Sequence, residues 1–129
     1  MPHFHIEYSA NLKTVLDIGE LCQTIRATAA DIDAFPMPGV RVRAIRVDHY
    51  AIADGDPKHG FVDISVRLRA GRPDAVKQDA ITRIFNAAQQ FMEPAMAQHS
   101  IALSAEMRDI NPDLSPKCGT IRNHLKDKA

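Results

Sequence analysis

The chain has 129 residues, with sixteen basic residues matched by sixteen acidic ones and two cysteines. Its length suits one domain with one hydrophobic core and is too short for two. Zero formal charge excludes a global pull toward nucleic acid or an anionic membrane surface, and no apolar run approaches the ~18 to 20 residues that cross a bilayer.

Cys22 and Cys118 show neither the spacing of a zinc module nor that of a disulfide framework, and no charged-then-apolar leader precedes the first strand. A cytoplasmic location is therefore expected. In chain order, residues 3 to 8 alternate, with Phe4, Ile6 and Tyr8 on one face and His3, His5 and Glu7 on the other, which is the period of a half-buried strand. Leu12, Val15, Leu16, Gly19, Cys22 and Ile25 then recur at helical steps, so a helix capped by Asn11 is predicted to run to about Ala30. Pro36, Pro38 and Gly39 end it in an irregular connection before a second strand from about Val40 to Asp48.

After the turn signal Asp54-Gly55-Asp56-Pro57, Val62, Ile64, Val66 and Leu68 alternate with Asp63, Ser65, Arg67 and Arg69 in a third strand. Pro73 suits the first turn of a second helix, whose stripe runs from Val76 through Ala80, Ile84 and Ala88 to Met92, and Pro94 is predicted to kink or stop it. Ile101, Leu103, Ala105 and Met107 mark a fourth strand. The polar tail from Asn111 holds Pro112, Pro116 and a short helix or turn near Thr120 to Lys126.

The expected fold class is thus α+β, a single domain over residues 1–129. Two consecutive βαβ units, about 2–48 and about 60–109, form a four-stranded mixed sheet with two helices on one face, followed by the tail at 110–129. A sheet this small with a bare second face invites burial by other copies, so an oligomer is expected.

Removal of Met1 would leave Pro2 as the chain terminus, a secondary amine with φ fixed near −65° and a usable base. Six of the ten arginines (Arg41, Arg43, Arg46, Arg67, Arg69 and Arg72) lie between positions 41 and 72. Several guanidinium groups converging on one pocket would suit a substrate bearing several carboxylates. Arg72 sits at a strand-to-helix junction beside helical N–H groups, and Arg41 follows the Pro-Gly turn. His3 and His5 point the same way, but with His49 and His59 they form no recognised ligand spacing, so no metal is expected. One glycine in Ala70-Gly71-Arg72 does not make a phosphate loop, and no serine or cysteine sits in a nucleophile motif. Glu7 and Glu106 could act as a carboxylate pair or simply belong to polar strand faces.

Pro2-His3-Phe4, Phe35-Pro36-x-x-Gly39-x-Arg41-x-Arg43, Ala53-Asp54-Gly55, Ala70-Gly71-Arg72 and Ala102-Leu103-Ser104-x-Glu106 together make the chain resemble the 5-carboxymethyl-2-hydroxymuconate isomerase family of the tautomerase superfamily, almost from end to end. The chain departs from the family pattern at His5, where an aliphatic residue is expected, and at Pro94. The resemblance implies a homotrimer whose three sheets surround a central core. It also implies a cofactor-independent isomerase of aromatic-compound catabolism, in the homoprotocatechuate pathway, that converts a small anionic 2-hydroxymuconate-type dienol to its 2-oxo isomer. Pro2 would be the catalytic base, and Arg41 and Arg72 would bind the substrate. Two other readings remain open: a non-catalytic α/β trimer that binds anionic ligands or partners, and a tautomerase-type enzyme for another 2-oxo or 2-hydroxy acid.

Overall fold

Strand β1 (His3–Ser9) lies inside a four-stranded sheet, flanked by β2 (Arg41–Val47) and β3 (His59–Arg69), with β4 (Ser100–Ile110) beyond β3. β1 pairs parallel with β2, β3 pairs parallel with β4, and the two halves meet where β1 and β3 run antiparallel. This is the expected mixed sheet of two βαβ units. Helix α1 (Ile18–Ala30) makes the first crossover and α2 (Asp74–Gln98) the second. The computed structural model describes residues 1–126, so the last three residues of the tail expected at 110–129 lie outside it.

The period-two pattern explains the layering. Phe4 and Ile6 of β1 and Val62, Ile64, Val66 and Leu68 of β3 all face the helices, where Leu21, Ile25, Ala29, Ala80, Ile84, Ala88 and Met92 close one core over them. Each large aliphatic side chain buried there contributes on the order of 1.5 to 3 kcal/mol. Both helices therefore share one face of the sheet. The opposite face is polar and open: cross-strand register puts Arg41, His3, Arg67 and Arg108 in one row, and Arg43, His5, Ser65 and Glu106 in the next. A third row holds Ile45, Glu7, Asp63 and Ser104, so Glu7 and Glu106 stand in different rows on strands that are not neighbours.

Two expected boundaries shift for physical reasons. The first helix starts later than predicted, because residues Ala10–Thr14 form a 3-10 turn and Asp17, accepting the Glu20 N–H at 3.0 Å, caps α1. Asn11 is used across the fold instead: its side chain donates to the His59 carbonyl at 2.7 Å and accepts the Ser9 hydroxyl at 2.7 Å. Ser9, fully buried, in turn accepts the Phe61 N–H at 2.9 Å, which satisfies it. Pro94 does not stop the second helix, which runs to Gln98. The ring is solvent-exposed, while Ala95 and Met96 in the following turn pack on the core and hold that turn in place.

Gly60 shows how tightly the 3-10 turn is pressed onto β3. A Cβ at this position would lie 2.8 Å from Leu12 Cδ2 and 3.0 Å from Leu12 Cγ, and Leu12 is buried and cannot swing away. Gly60→Ala is expected to destabilise the fold by about 1 to 3 kcal/mol. Calorimetry should then show a melting temperature several degrees lower, and an unchanged value would mean that the turn yields freely. Among the described residues, no helix is long and apolar enough to cross a membrane.

Candidate active site

The amino terminus is packed into the fold. Phe35 meets Phe4 edge-on, with ring centroids 5.0 Å apart, and this anchors the Pro36-to-Gly39 arm against the start of β1. The arm closes in a 3-10 turn, with the Gly39 N–H donating to the Pro36 carbonyl at 3.0 Å. Glycine lets this tip approach closely, since a Cβ there would stand 3.2 Å from Pro2 Cδ and the neighbours would have to give by a few tenths of an ångström. Pro2 is fully buried, and its carbonyl accepts the Arg41 N–H at 3.2 Å, which opens the β1–β2 pairing. The fold thus places the proline and the root of Arg41 side by side.

Two cavities, of about 310 and 320 Å³, flank Met1. Met1, Arg41, Lys117 and Cys118 line both; Pro2 and Gly39 border the first, and His3 and Arg69 the second. The Arg41 guanidinium donates to the Met1 sulfur and, at 3.5 Å, to the Gly39 carbonyl, so Met1 forms the partition between the two spaces. Among the described residues no aspartate or glutamate lines either one. In a chain of zero formal charge, this is a local concentration of positive charge that favours an anion.

The terminal amine registers that field. Burial, followed by the charges of Lys117, Arg72 and Arg41, brings the Met1 amine down to about 6, so it is largely neutral at pH 7. Arg72 acts here from outside the lining of both cavities; its guanidinium donates to the Arg69 carbonyl at 3.2 Å. His3 feels the same surroundings: burial, then Arg67, Arg43 and Arg41, hold its imidazole near 4. A neutral ring can accept through Nδ1, which lies 3.3 Å from an Arg43 nitrogen.

Of the residues singled out from the sequence, Pro2 and Arg41 meet at one cavity and Arg72 adds its charge to the terminal amine. Arg69 borders the second cavity, whereas Arg43 and Arg67 lie on the open sheet face around His3. Arg46 pairs with Asp48 at 2.9 Å. The four histidines do not assemble. His59 lies eight residues along β3 from Arg67, the partner of His3, which at about 3.3 Å per residue is roughly 26 Å away. There it bridges Asp54 at 2.8 Å and Ser100 at 2.7 Å, clasping the β2–β3 loop to β4. Lys117 and Cys118 were not visible as site residues in the sequence, because nothing in a polar tail with two prolines indicates that it folds back over the amino terminus.

Paired βαβ units in one mixed sheet, with the amino terminus set among cations at the head of the inner strand β1, define a tautomerase-fold protein. Solved structures are similar at high coverage. A 5-carboxymethyl-2-hydroxymuconate delta-isomerase matches with a TM-score of 0.88 and 30% identity over 98% of this chain and 94% of its own. A 5-carboxymethyl-2-hydroxymuconate isomerase from Deinococcus radiodurans R1 matches with a TM-score of 0.86 and 32% identity, covering 97% and 95%. The Escherichia coli 5-carboxymethyl-2-hydroxymuconate Delta-isomerase is 31% identical over 126 residues, 98% of this chain and all of that protein. The family model for 5-carboxymethyl-2-hydroxymuconate isomerase matches residues 2–125, and the chain belongs to that family of isomerases.

Proposed function

We propose that the protein, once Met1 is removed, ketonises 5-carboxymethyl-2-hydroxymuconate with Pro2 as the base, in the cytoplasm, as a step of aromatic-compound catabolism. The observation that carries this reading is the sharing of one acid-free cavity by Pro2, Arg41 and the chain terminus. A neutral secondary amine takes the 2-hydroxyl proton. The O–H electron pair becomes the carbonyl π bond, the C2=C3 pair moves to C3=C4, and the C4=C5 pair takes the proton that the ammonium returns to C5, so the dienol becomes a 2-oxo-3-ene. Atoms and electrons balance without a second reactant. Negative charge builds on the oxygen and the adjoining carboxylate during transfer, and a guanidinium already in place stabilises it without reorganising. Arg41 borders that space, and Arg72 supplies further positive potential.

The assembly proposed is a homotrimer. Ile45 on the open sheet face and Leu114 and Ile121 in the tail are large apolar side chains exposed in the isolated chain, and burial by neighbouring copies would cover them. Protein shown by mass spectrometry to lack Met1 is expected to ketonise the dienol, followed by ultraviolet absorbance, and to sediment at about three times 14.3 kDa. Turnover no faster than in buffer would overturn the activity, and a monomeric mass would overturn the assembly.

A further inference from the structure

The tail beyond β4 ends in a cation whose position the isomerase reading leaves unused. Asn111 caps a 3-10 turn at Pro112–Leu114 by accepting the Asp113 N–H at 3.0 Å, and the chain then passes over the amino terminus before a second 3-10 turn at Ile121–His124. Lys117 lies at the middle of this crossing. It borders both cavities from the tail side while Arg41 borders both from the β2 side, with Met1 between them. Among the described residues no carboxylate pairs with Lys117 or with Arg41. Two unneutralised cations facing one space repel each other, and an anionic ligand relieves the repulsion.

Resting on the proposed isomerase function, we infer that Lys117 is a specificity residue, the group that receives the carboxymethyl carboxylate of a tricarboxylate dienol. The substrate has two carboxylates on its planar conjugated frame and a third on a rotatable methylene. A guanidinium fork matches planar carboxylates in a fixed plane, whereas a flexible ammonium is a point charge that can follow a swinging one. The Lys117 ammonium also stands near enough to the Met1 amine to help hold it neutral, which sets it at the amino-terminal side of the cavity that Pro2 borders. Removing Met1 would take away the partition and leave Lys117 and Arg41 facing each other across a single space.

The test compares 5-carboxymethyl-2-hydroxymuconate with 2-hydroxymuconate, which lacks the third carboxylate. Measured on the high-pH plateau of the profile, where the base is neutral with or without the Lys117 charge, Lys117→Gln is expected to lower kcat/KM for the tricarboxylate by about 10- to 100-fold, mostly through KM, and to change the dicarboxylate by less than about threefold. Lys117→Arg should recover most of the loss. Equal losses on both substrates, or none on either, would overturn the assignment. Calorimetric binding of the unreactive tricarballylate and glutarate gives a readout that does not depend on catalysis: the wild type should prefer the tricarboxylate and Lys117→Gln should lose that preference. If the wild type binds in this way but ketonises neither dienol, the catalytic reading fails and the Lys117 assignment stands; if the binding preference is absent or survives the substitution, the assignment fails. Lys117 is exposed, so the variant should melt with the wild type.

Discussion

Blocking the Pro2 nitrogen, by acetylating the processed terminus or by retaining Met1, is expected to cut kcat/KM for dienol ketonisation by about 10²- to 10⁴-fold, the usual contribution of a positioned general base. Retained Met1 should be as damaging as the acetyl group. It turns the Pro2 nitrogen into an amide, and its side chain fills the space between the two cavities and occupies Arg41. Pro2→Ala is a milder change, because it leaves a primary amine in the same field but releases the φ that the ring fixed. An intermediate loss is expected there, smaller than for either blocked form. The pH profile gives a second measurement. A base must be neutral, so kcat/KM should rise with pH through its pKa and then level off. The Met1 amine is brought to about 6 by burial, Lys117, Arg72 and Arg41. The Pro2 amine, one residue further into the fold, should likewise titrate below the ordinary amino-terminal range of ~7.7 to 8.0. Full activity in a Met1-retaining form, or a limb centred at or above that range, would remove Pro2 as the base.

The sheet was legible in the sequence because alternation in β1, β3 and β4 is a direct imprint of one buried face; Phe4, Ile6, Val62, Ile64 and Val66 read correctly without any knowledge of their partners. What failed locally was decided by tertiary contacts. Leu12 and Leu16 have helical spacing and are joined by a bond from the Leu16 N–H to the Leu12 carbonyl at 2.9 Å, but the chain winds there only for the short 3-10 turn at Ala10–Thr14 before α1 starts afresh, and Asn11 was drawn away from its expected cap by the His59 carbonyl on a strand 48 residues later. Pro94 has a backbone penalty that propensity counts in full, whereas Ala95 and Met96 on the core outweigh it. The site divides along the same line. Pro2 and Arg41 were visible because chain position and a Pro-Gly turn mark them, but Lys117 acts only through a return of the tail that no local pattern encodes. Conversely, the cluster of six arginines overstated the site: Arg43 and Arg67 surround His3 on the open sheet face, and Arg46 is neutralised by Asp48.

Arg41 and Arg72 should separate by the kind of loss each causes. Arg41→Ala removes a guanidinium that borders both cavities, yet leaves intact the backbone bond from its N–H to the Pro2 carbonyl, so the β1–β2 pairing survives and the effect falls on the substrate. A loss of about 2 to 5 kcal/mol in transition-state binding is expected, seen as a higher KM together with a lower kcat. Arg41→Lys should recover only part of it, since a point charge cannot reproduce a bidentate fork. Arg72 lies outside the lining and reaches the amine through its field. Arg72→Ala should therefore produce a smaller fall in kcat/KM and a shift of the acid limb toward higher pH, because losing a nearby cation stabilises the protonated amine. If, as proposed, both groups serve one site, Arg41 at the anion and Arg72 through its field on the same nitrogen, the double variant should lose less than the sum of the single losses, a coupling that a double-mutant cycle measures directly. Strict additivity would mean that the two arginines serve separate sites, and unchanged kinetics in both single variants would remove them from the reaction altogether.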